Sequence, residues 1–154
     1  MKPDNLIAHP EGGRYREVFK SARPVARPNR PLRAALTHIY FSLNSGEVSR
    51  FHKVSADEVW NLYQGTGIRL YTWDGSGKSP AIITLSAAEN CFCHVVPAGV
   101  WQAAEAIDDT VLAGCSVAPG FEFDDFTLLE YECDAARKLL NMAPEMSRFI
   151  SSSG

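Results

Sequence analysis

Apolar and polar residues alternate along most of this chain, in short runs separated by glycine, proline and aspartate. Side chains of a strand point alternately to the two faces of a sheet, so this alternation predicts strands with one buried face. Many short strands without helices between them favour an antiparallel sandwich or barrel over a parallel sheet. The predicted strands cover residues 14–21, 34–43, 49–54, 58–64, 68–73, 80–85, 91–96, 100–106 and 110–117.

One segment near the C-terminus follows the helical period instead. Ala135, Leu139 and Met142 fall near helical spacing, Asp134 is a candidate N-cap, and Pro144 follows the last apolar position. We therefore predict a short helix over residues 134–142. We expect this helix to pack against the outside of the barrel.

The segment 22–33 is rich in proline and arginine and is predicted to be a loop, because proline is a strong turn residue. Two interpretations of its arginines are open. The favoured one is a solvated basic loop, and the alternative is a grip on a phosphate or carboxylate group. The residues concerned are Pro24, Pro28 and Pro31, with Arg23, Arg27, Arg30 and Arg33.

The segment 46–65 places polar side chains on two neighbouring strands that are otherwise apolar. His52 lies on the first strand, and Glu58 lies on the second, after a short turn. An imidazole and a carboxylate that converge from adjacent strands can bind a metal, transfer a proton or hydrogen-bond each other. Arg50 shares the face of His52, and Trp60 shares the face of Glu58, by the period of two.

The spacing of Gly46, His52, Glu58 and Gly65 resembles the first sequence signature of the cupin superfamily. That signature places two histidines and a glutamate between two glycines. Val54 stands where the second histidine would be. The first signature therefore supplies one imidazole and one carboxylate of the usual metal ligands.

The second cupin signature is also matched in part. Pro97 and Gly99 form the expected turn, whereas Gln102 stands where the last histidine would be, and Cys91 replaces a glycine. Two of the four usual metal ligands are thus replaced. A 2-His-1-carboxylate site needs two imidazoles, so the ligand count disfavours a transition metal. If a metal does bind, the resemblance implies His52, Glu58 and Gln102 as its ligands.

A narrower resemblance extends over nearly the whole chain, to a subfamily of small single-domain cupins. These proteins are related in fold to sugar-nucleotide epimerases and seed-storage proteins. The resemblance implies one cupin domain over residues 1–154, an all-β jelly roll (an antiparallel double-stranded β-helix), and a homodimer. The segments that carry it are HPEGGRYREVF (9–19), HIYFSL (38–43), SRFHKVSADEVWNLYQG (49–65), VPAGVWQAA (96–104) and AGCSVAPGFEFDDF (113–126).

Three functions follow from this site. The first is binding of a small polar molecule, such as a sugar, in the barrel, with metal-independent isomerisation or epimerisation by His52 and Glu58. The second is a metal-dependent oxygenase or isomerase with an incomplete ligand set. The third is a binding or sensing protein without turnover. The expected ligand-binding residues around the candidate catalytic pair are Arg50, Trp60, Gln102, Tyr40 and Trp101.

The sequence HPEGG at positions 9–13 is predicted to form a turn, because its proline fixes φ and its glycines permit positive φ. A role of His9 and Glu11 in shaping the backbone is the favoured interpretation. The alternative is that these two side chains take part in the chemistry.

Composition narrows the expected partners. The 154 residues carry a formal net charge of −3, which gives no reason to expect nucleic acid or an anionic membrane as a partner. No apolar run approaches the about 20 residues of a membrane-spanning helix. The N-terminus lacks the apolar core of a secretory signal, so we expect a cytoplasmic protein with four reduced cysteines.

Overall fold

The computed structural model describes residues 3–151 and builds the alternating segments into antiparallel strands, as the sequence predicts. A single α-helix, α1 (Asp134–Met142), and short 3₁₀ helices at Phe123–Asp125 and Pro144–Phe149 complete the described part of the chain. The strands are β1 (Ile7–Ala8), β2 (Arg14–Lys20), β3 (Pro24–Arg27), β4 (Arg30–Ala34), β5 (Thr37–Leu43), β6 (Val48–Val54), β7 (Asp57–Gln64), β8 (Gly67–Trp73), β9 (Ala81–Leu85), β10 (Cys93–Val96), β11 (Trp101–Ile107), β12 (Val111–Ala118) and β13 (Phe126–Leu128).

Two sheets form the body of the fold. One has the strand order β1-β2-β5-β12-β7-β10, and the other has the order β13-β6-β11-β8-β9. Their inner faces enclose an apolar core in which Phe41 of β5, Trp60 of β7 and Leu70 of β8 are at most 1% exposed. The non-consecutive strand order and the packing of two antiparallel sheets confirm the predicted jelly roll.

Helix α1 begins and ends at the predicted residues and packs on the outer face of the five-stranded sheet. Leu139 is fully buried in a second apolar cluster that includes Phe51 of β6 and Tyr71 of β8. The N-cap is Cys133, whose Sγ accepts the backbone N–H of Ala136 at 3.4 Å, rather than the predicted Asp134. No helix among residues 3–151 is long and apolar enough to cross a membrane.

The segment 22–33 differs from the prediction of a loop, because it contributes two strands. β3 and β4 pair in an antiparallel hairpin whose turn contains Pro28 and Asn29, and Asn29 has a φ of 55°. Proline fixes the first turn residue, and asparagine tolerates the positive φ of the second. Each strand of a two-stranded ribbon has one edge without a neighbouring strand. Pro24 and Pro31 can therefore lie in these strands without removing a hydrogen bond between them.

A β-bulge interrupts the alternation of β6. Gln102 of β11 pairs with His52, but Ala104 pairs with Ser49, so β6 uses three residues where β11 uses two. Ser49 and His52 are consequently both buried, although regular alternation would place them on opposite faces of the strand. Phe51 faces the outer cluster under α1. The predicted shared face of Arg50 and His52 is therefore not formed.

Candidate functional site

A cavity opens between the two sheets beside His52. Its volume is about 30 Å³, and it is partly open to solvent. A cavity of this volume holds one or two water molecules, so only one end of a larger molecule would fit in it. Its lining combines titratable side chains with an apolar wall, and includes His9, Glu11, Tyr15, His52, Glu58 and Cys115 together with Ile39, Val54, Val117, Phe121 and Phe126.

His52 forms an ion pair with Glu11 on the wall of this cavity. The Nδ1 atom of His52 lies 2.6 Å from Oε2 of Glu11 and 2.8 Å from the carbonyl oxygen of Arg50. Both neighbours are acceptors, so Nδ1 carries a proton. Nε2 is then the ring nitrogen that remains for a molecule in the cavity.

The charges of this pair stabilise each other. Burial disfavours the imidazolium, but the adjacent Glu11 carboxylate outweighs it and raises the pKa of His52. Burial likewise disfavours the carboxylate, but the charge and hydrogen bond of His52 outweigh it and lower the pKa of Glu11. Both pKa directions favour the charged pair, an imidazolium held against a carboxylate.

The turn at positions 9–13 brings Glu11 to His52. Gly12 has a φ of 113°, and a Cβ atom there would collide with the carbonyl of Val48 on β6, so only glycine permits this approach. The backbone N–H of Arg50 donates to the carbonyl of Glu11 at 2.7 Å. The favoured interpretation of the turn as purely structural missed Glu11. The available clue was an acidic residue placed between a proline and two glycines, where the backbone can pack closely.

Glu58 lies on β7 with a neutral partner. Nε2 of Gln102 donates to Oε1 of Glu58 at 2.9 Å, and the indole N–H of Trp60 donates to Oε1 of Gln102 at 2.6 Å. Burial is the main cause that raises the pKa of Glu58 to about 7. The charge of Glu11 adds to this effect, while His52 and Gln102 oppose it. Glu58 therefore exchanges its proton near neutral pH, as a general acid or base requires.

The remaining polar lining is neutral. Nδ1 of His9 accepts the backbone N–H of Glu11 at 3.2 Å, and burial lowers the pKa of His9. Burial raises the pKa of the Cys115 thiol well above its usual value, so Cys115 stays protonated. Phe126 stacks on the ring of His52 with a centroid separation of 5.4 Å. The charged chemistry of the cavity is thus confined to Glu11, His52 and Glu58.

The structure brings only part of the predicted site together. His52 and Glu58 line the same cavity, as expected. Gln102 is buried behind Glu58 and orients it, and Trp60 is buried in the core and orients Gln102. These two residues therefore act on the site through Glu58 and do not contact the cavity.

The other three predicted ligand-binding residues lie outside the cavity. Every second side chain of β5 points inward, and these are Thr37, Ile39 and Phe41. Tyr40 therefore faces outward, where the Arg16 guanidinium lies 5.4 Å from its ring. Trp101 lies in the outer cluster under α1. Arg50 is turned away by the bulge, and its guanidinium donates to Ser151 and to the carbonyl of Pro10.

The donor set does not fit a transition metal. The carbonyl oxygen of Gln102, its only atom able to bind a cation, already accepts the indole N–H of Trp60. Val54 offers no donor at the place of the second histidine, so the cupin ligand positions hold one imidazole. The other imidazole of the lining, His9, already uses Nδ1 to accept the backbone N–H of Glu11. Within residues 3–151, no three His, Cys, Asp or Glu side chains are grouped in a way that could hold a metal ion.

Two facing antiparallel sheets with a polar cluster between them are typical of a cupin. The family described as cupin superfamily (DUF985) matches residues 2–129, so the chain belongs to this family. The match covers both signature segments and the turn that carries Glu11. It ends before helix α1.

Relatives of similar size occur in distant organisms. The uncharacterized protein YML079W of Saccharomyces cerevisiae is 30% identical over 144 residues, which cover 82% of this chain and 72% of the relative. The crystal structure of protein SO0799 from Shewanella oneidensis is 31% identical, with a TM-score of 0.78, covering 96% of this chain and 92% of that one. A hypothetical protein from Leishmania major shares the fold, with 22% identity, a TM-score of 0.75 and coverage of 96% and 94%.

Proposed function

We propose that the cavity binds a small polar carbonyl compound, such as a sugar, and that the protein isomerises or epimerises it without a metal. One observation carries the proposal. His52, whose pKa is raised by the Glu11 carboxylate, and Glu58, a carboxyl group with a pKa of about 7, line the same cavity. An acid and a base that coexist at neutral pH are what proton transfer next to a carbonyl needs.

The proposed reaction begins with the removal of one proton from carbon. The Glu58 carboxylate takes a proton from the carbon next to the carbonyl, and the electron pair of that C–H bond forms the enol double bond. His52 donates through Nε2 to the carbonyl oxygen as negative charge develops there, while Glu11 holds the ring in place. Return of the proton by Glu58 to the former carbonyl carbon, while the hydroxyl of the adjacent carbon gives its proton to Nε2 of His52, forms the new carbonyl and gives an isomer. Protonation of the original carbon by water on the opposite face, while the enol oxygen returns its proton to Nε2 of His52, gives an epimer.

Deuterium exchange tests this proposal on a whole class of candidate substrates at once. The protein, freed of metals by a chelator, is incubated in D₂O with a panel of aldoses, ketoses and their phosphate esters, and exchange at the carbon next to the carbonyl is followed by NMR. We expect exchange with wild type and a loss of about 100-fold or more in Glu58→Gln, because general base catalysis contributes on that scale. Glu89→Gln, at an exposed glutamate, is the matched control.

The alternatives predict different outcomes. Exchange that disappears with the chelator and returns with added metal would favour a metal-dependent cupin over our proposal. Tight binding of a sugar without any exchange would favour a binding or sensing protein. The homodimer expected from the family resemblance, the cytoplasmic location and the absence of nucleic-acid partners stay predictions.

A further inference from the structure

A second cleft lies beside the cavity, between the β3–β4 hairpin and the end of β6. Its volume is about 500 Å³, and it is open to solvent. Its lining carries the cationic residues Arg27, Arg30, Arg33 and Lys53 against the acidic residues Asp124 and Asp125. The cleft therefore has an excess of two positive charges.

One carboxylate organises the basic side. Asp125 accepts two hydrogen bonds from Arg33, from Nε at 2.7 Å and from Nη2 at 3.0 Å, and a third from Nη1 of Arg27 at 3.3 Å. These three side chains are at most 9% exposed. Two guanidinium groups are thus fixed by a single negative charge.

Several donors in the cleft lack an acceptor. Nη2 of Arg27 is buried without a hydrogen-bond partner, and so is Oγ of Ser55. Within the part of the chain that the structure describes, the side chains of Arg30 and Lys53 make no hydrogen bond or ion pair. Nζ of Lys53 lies 4.7 Å from the ring centroid of Trp101. Buried donors without acceptors are costly, and a bound anion would supply the acceptors.

The chemistry of these donors favours phosphate. Planar guanidinium groups match the oxygen spacing of phosphate, and a phosphate monoester carries close to two negative charges at neutral pH. That charge equals the excess in the cleft. A monovalent carboxylate would neutralise only half of it.

The cleft and the cavity share a wall. Val54, which stands where the second cupin histidine would be, lines both of them. We infer that the cleft binds the phosphate group of a phosphorylated, sugar-like substrate whose carbonyl end occupies the cavity. The assignment of the carbonyl end rests on the proposed function, whereas the anion site rests on the cleft alone.

Titration with inorganic phosphate and with pyrophosphate, followed by calorimetry at low salt, tests the anion site. We expect wild type to bind both, and the double variant Arg30→Gln/Lys53→Gln to bind them about tenfold more weakly, because two charge-assisted contacts are lost. Arg137→Gln is the matched control, since Arg137 is exposed and pairs with Asp134 on α1. Acetate is the comparison anion and should bind more weakly than phosphate. Thermal melting checks that each variant folds.

The possible results separate this inference from the proposed function. Absence of phosphate and pyrophosphate binding, equal binding by the double variant, or equally strong binding of acetate would overturn the inference, whatever the cavity does. In the exchange assay, the double variant should raise KM for a sugar phosphate and leave KM for the free sugar unchanged. An equal change for both substrates would overturn the shared substrate. Phosphate binding without exchange of any free sugar or sugar phosphate would support the anion site and overturn the proposed function.

Discussion

At the scale of single residues, the cavity separates two carboxyl groups by their environments. Glu11 faces a cation and keeps its charge, whereas Glu58 faces the neutral amide of Gln102 and resists ionisation because it is buried. Pairs of titratable groups whose pKa values are pushed apart mark acid and base roles. The proposed chemistry follows from this difference and not from the number of polar residues in the cavity.

Glu58 should make the stability of the protein depend on pH in a defined direction. Its pKa is raised from 4.5 to about 7 in the folded state, so the folded protein binds more protons than the unfolded chain between these values. Its contribution to the free energy of unfolding is complete below the lower value and is lost as the pH rises through about 7. We expect the wild type to lose on the order of 3 kcal/mol relative to Glu58→Gln between about pH 5 and pH 8.

Urea unfolding of both proteins at several pH values measures this difference. Glu11 and His52 are present in both proteins, so most of their contribution to the pH dependence of the free energy of unfolding cancels in this comparison. The exposed variant Glu89→Gln should follow the wild type at every pH. A gap between wild type and Glu58→Gln that stays constant with pH would contradict a raised pKa for Glu58.

At the scale of elements, local sequence patterns predicted the strands and the helix but not the irregularities that shape the site. Alternation with period two placed His52 and Glu58 inside, and the family spacing identified Gln102 as their neighbour. The bulge in β6 is set by pairing with β11, a long-range contact that no local pattern encodes, so Arg50 was placed on the wrong face. The outward direction of Tyr40 and Trp101 also depends on which face of each sheet meets the core.

The β3–β4 hairpin is another element whose formation depends on a distant residue. Asp125 fixes Arg27 and Arg33 from nearly a hundred positions further along the chain, so the segment alone looks like a loop. Arg23, Arg27 and Arg30 each precede a proline, which blocks cleavage by trypsin, whereas Arg33 precedes Ala34. The bond after Arg33 therefore reports specifically on opening of the hairpin.

We expect Asp125→Asn to speed tryptic cleavage after Arg33 several-fold, because two largely buried guanidinium groups lose their anion. The global stability should fall by about 1–3 kcal/mol, between the values typical of exposed and buried ion pairs. Mass spectrometry of the fragments identifies the cleaved bond. Asp124→Asn, at the exposed neighbouring position, should leave the rate unchanged. Equal cleavage rates in both variants would show that Asp125 does not hold the hairpin.

At the scale of the whole molecule, the five-stranded sheet separates two apolar clusters with different tasks. The inner cluster lies between the sheets and contains Trp60, which is bonded to Gln102 and through it to Glu58. The outer cluster lies between the sheet and α1 and contains Leu139 and Phe149. Residues of the outer cluster do not line the cavity, so stability and site chemistry can be changed separately.

Leu139→Ala tests this separation. Leu139 is fully buried in the outer cluster, and truncation of a buried leucine to alanine costs about 2–5 kcal/mol through lost burial and the remaining void. Urea unfolding should show a loss of this size, while Lys138→Ala, at an exposed position of the same helix, should change little. Because α1 lies across the sheet from the cavity, the pKa of Glu58 should stay at about 7 in Leu139→Ala, as measured by carbon NMR of its carboxyl group. A shift of that pKa toward its ordinary value would show that the outer cluster controls the burial of Glu58, and the two clusters would then have to be treated as one unit.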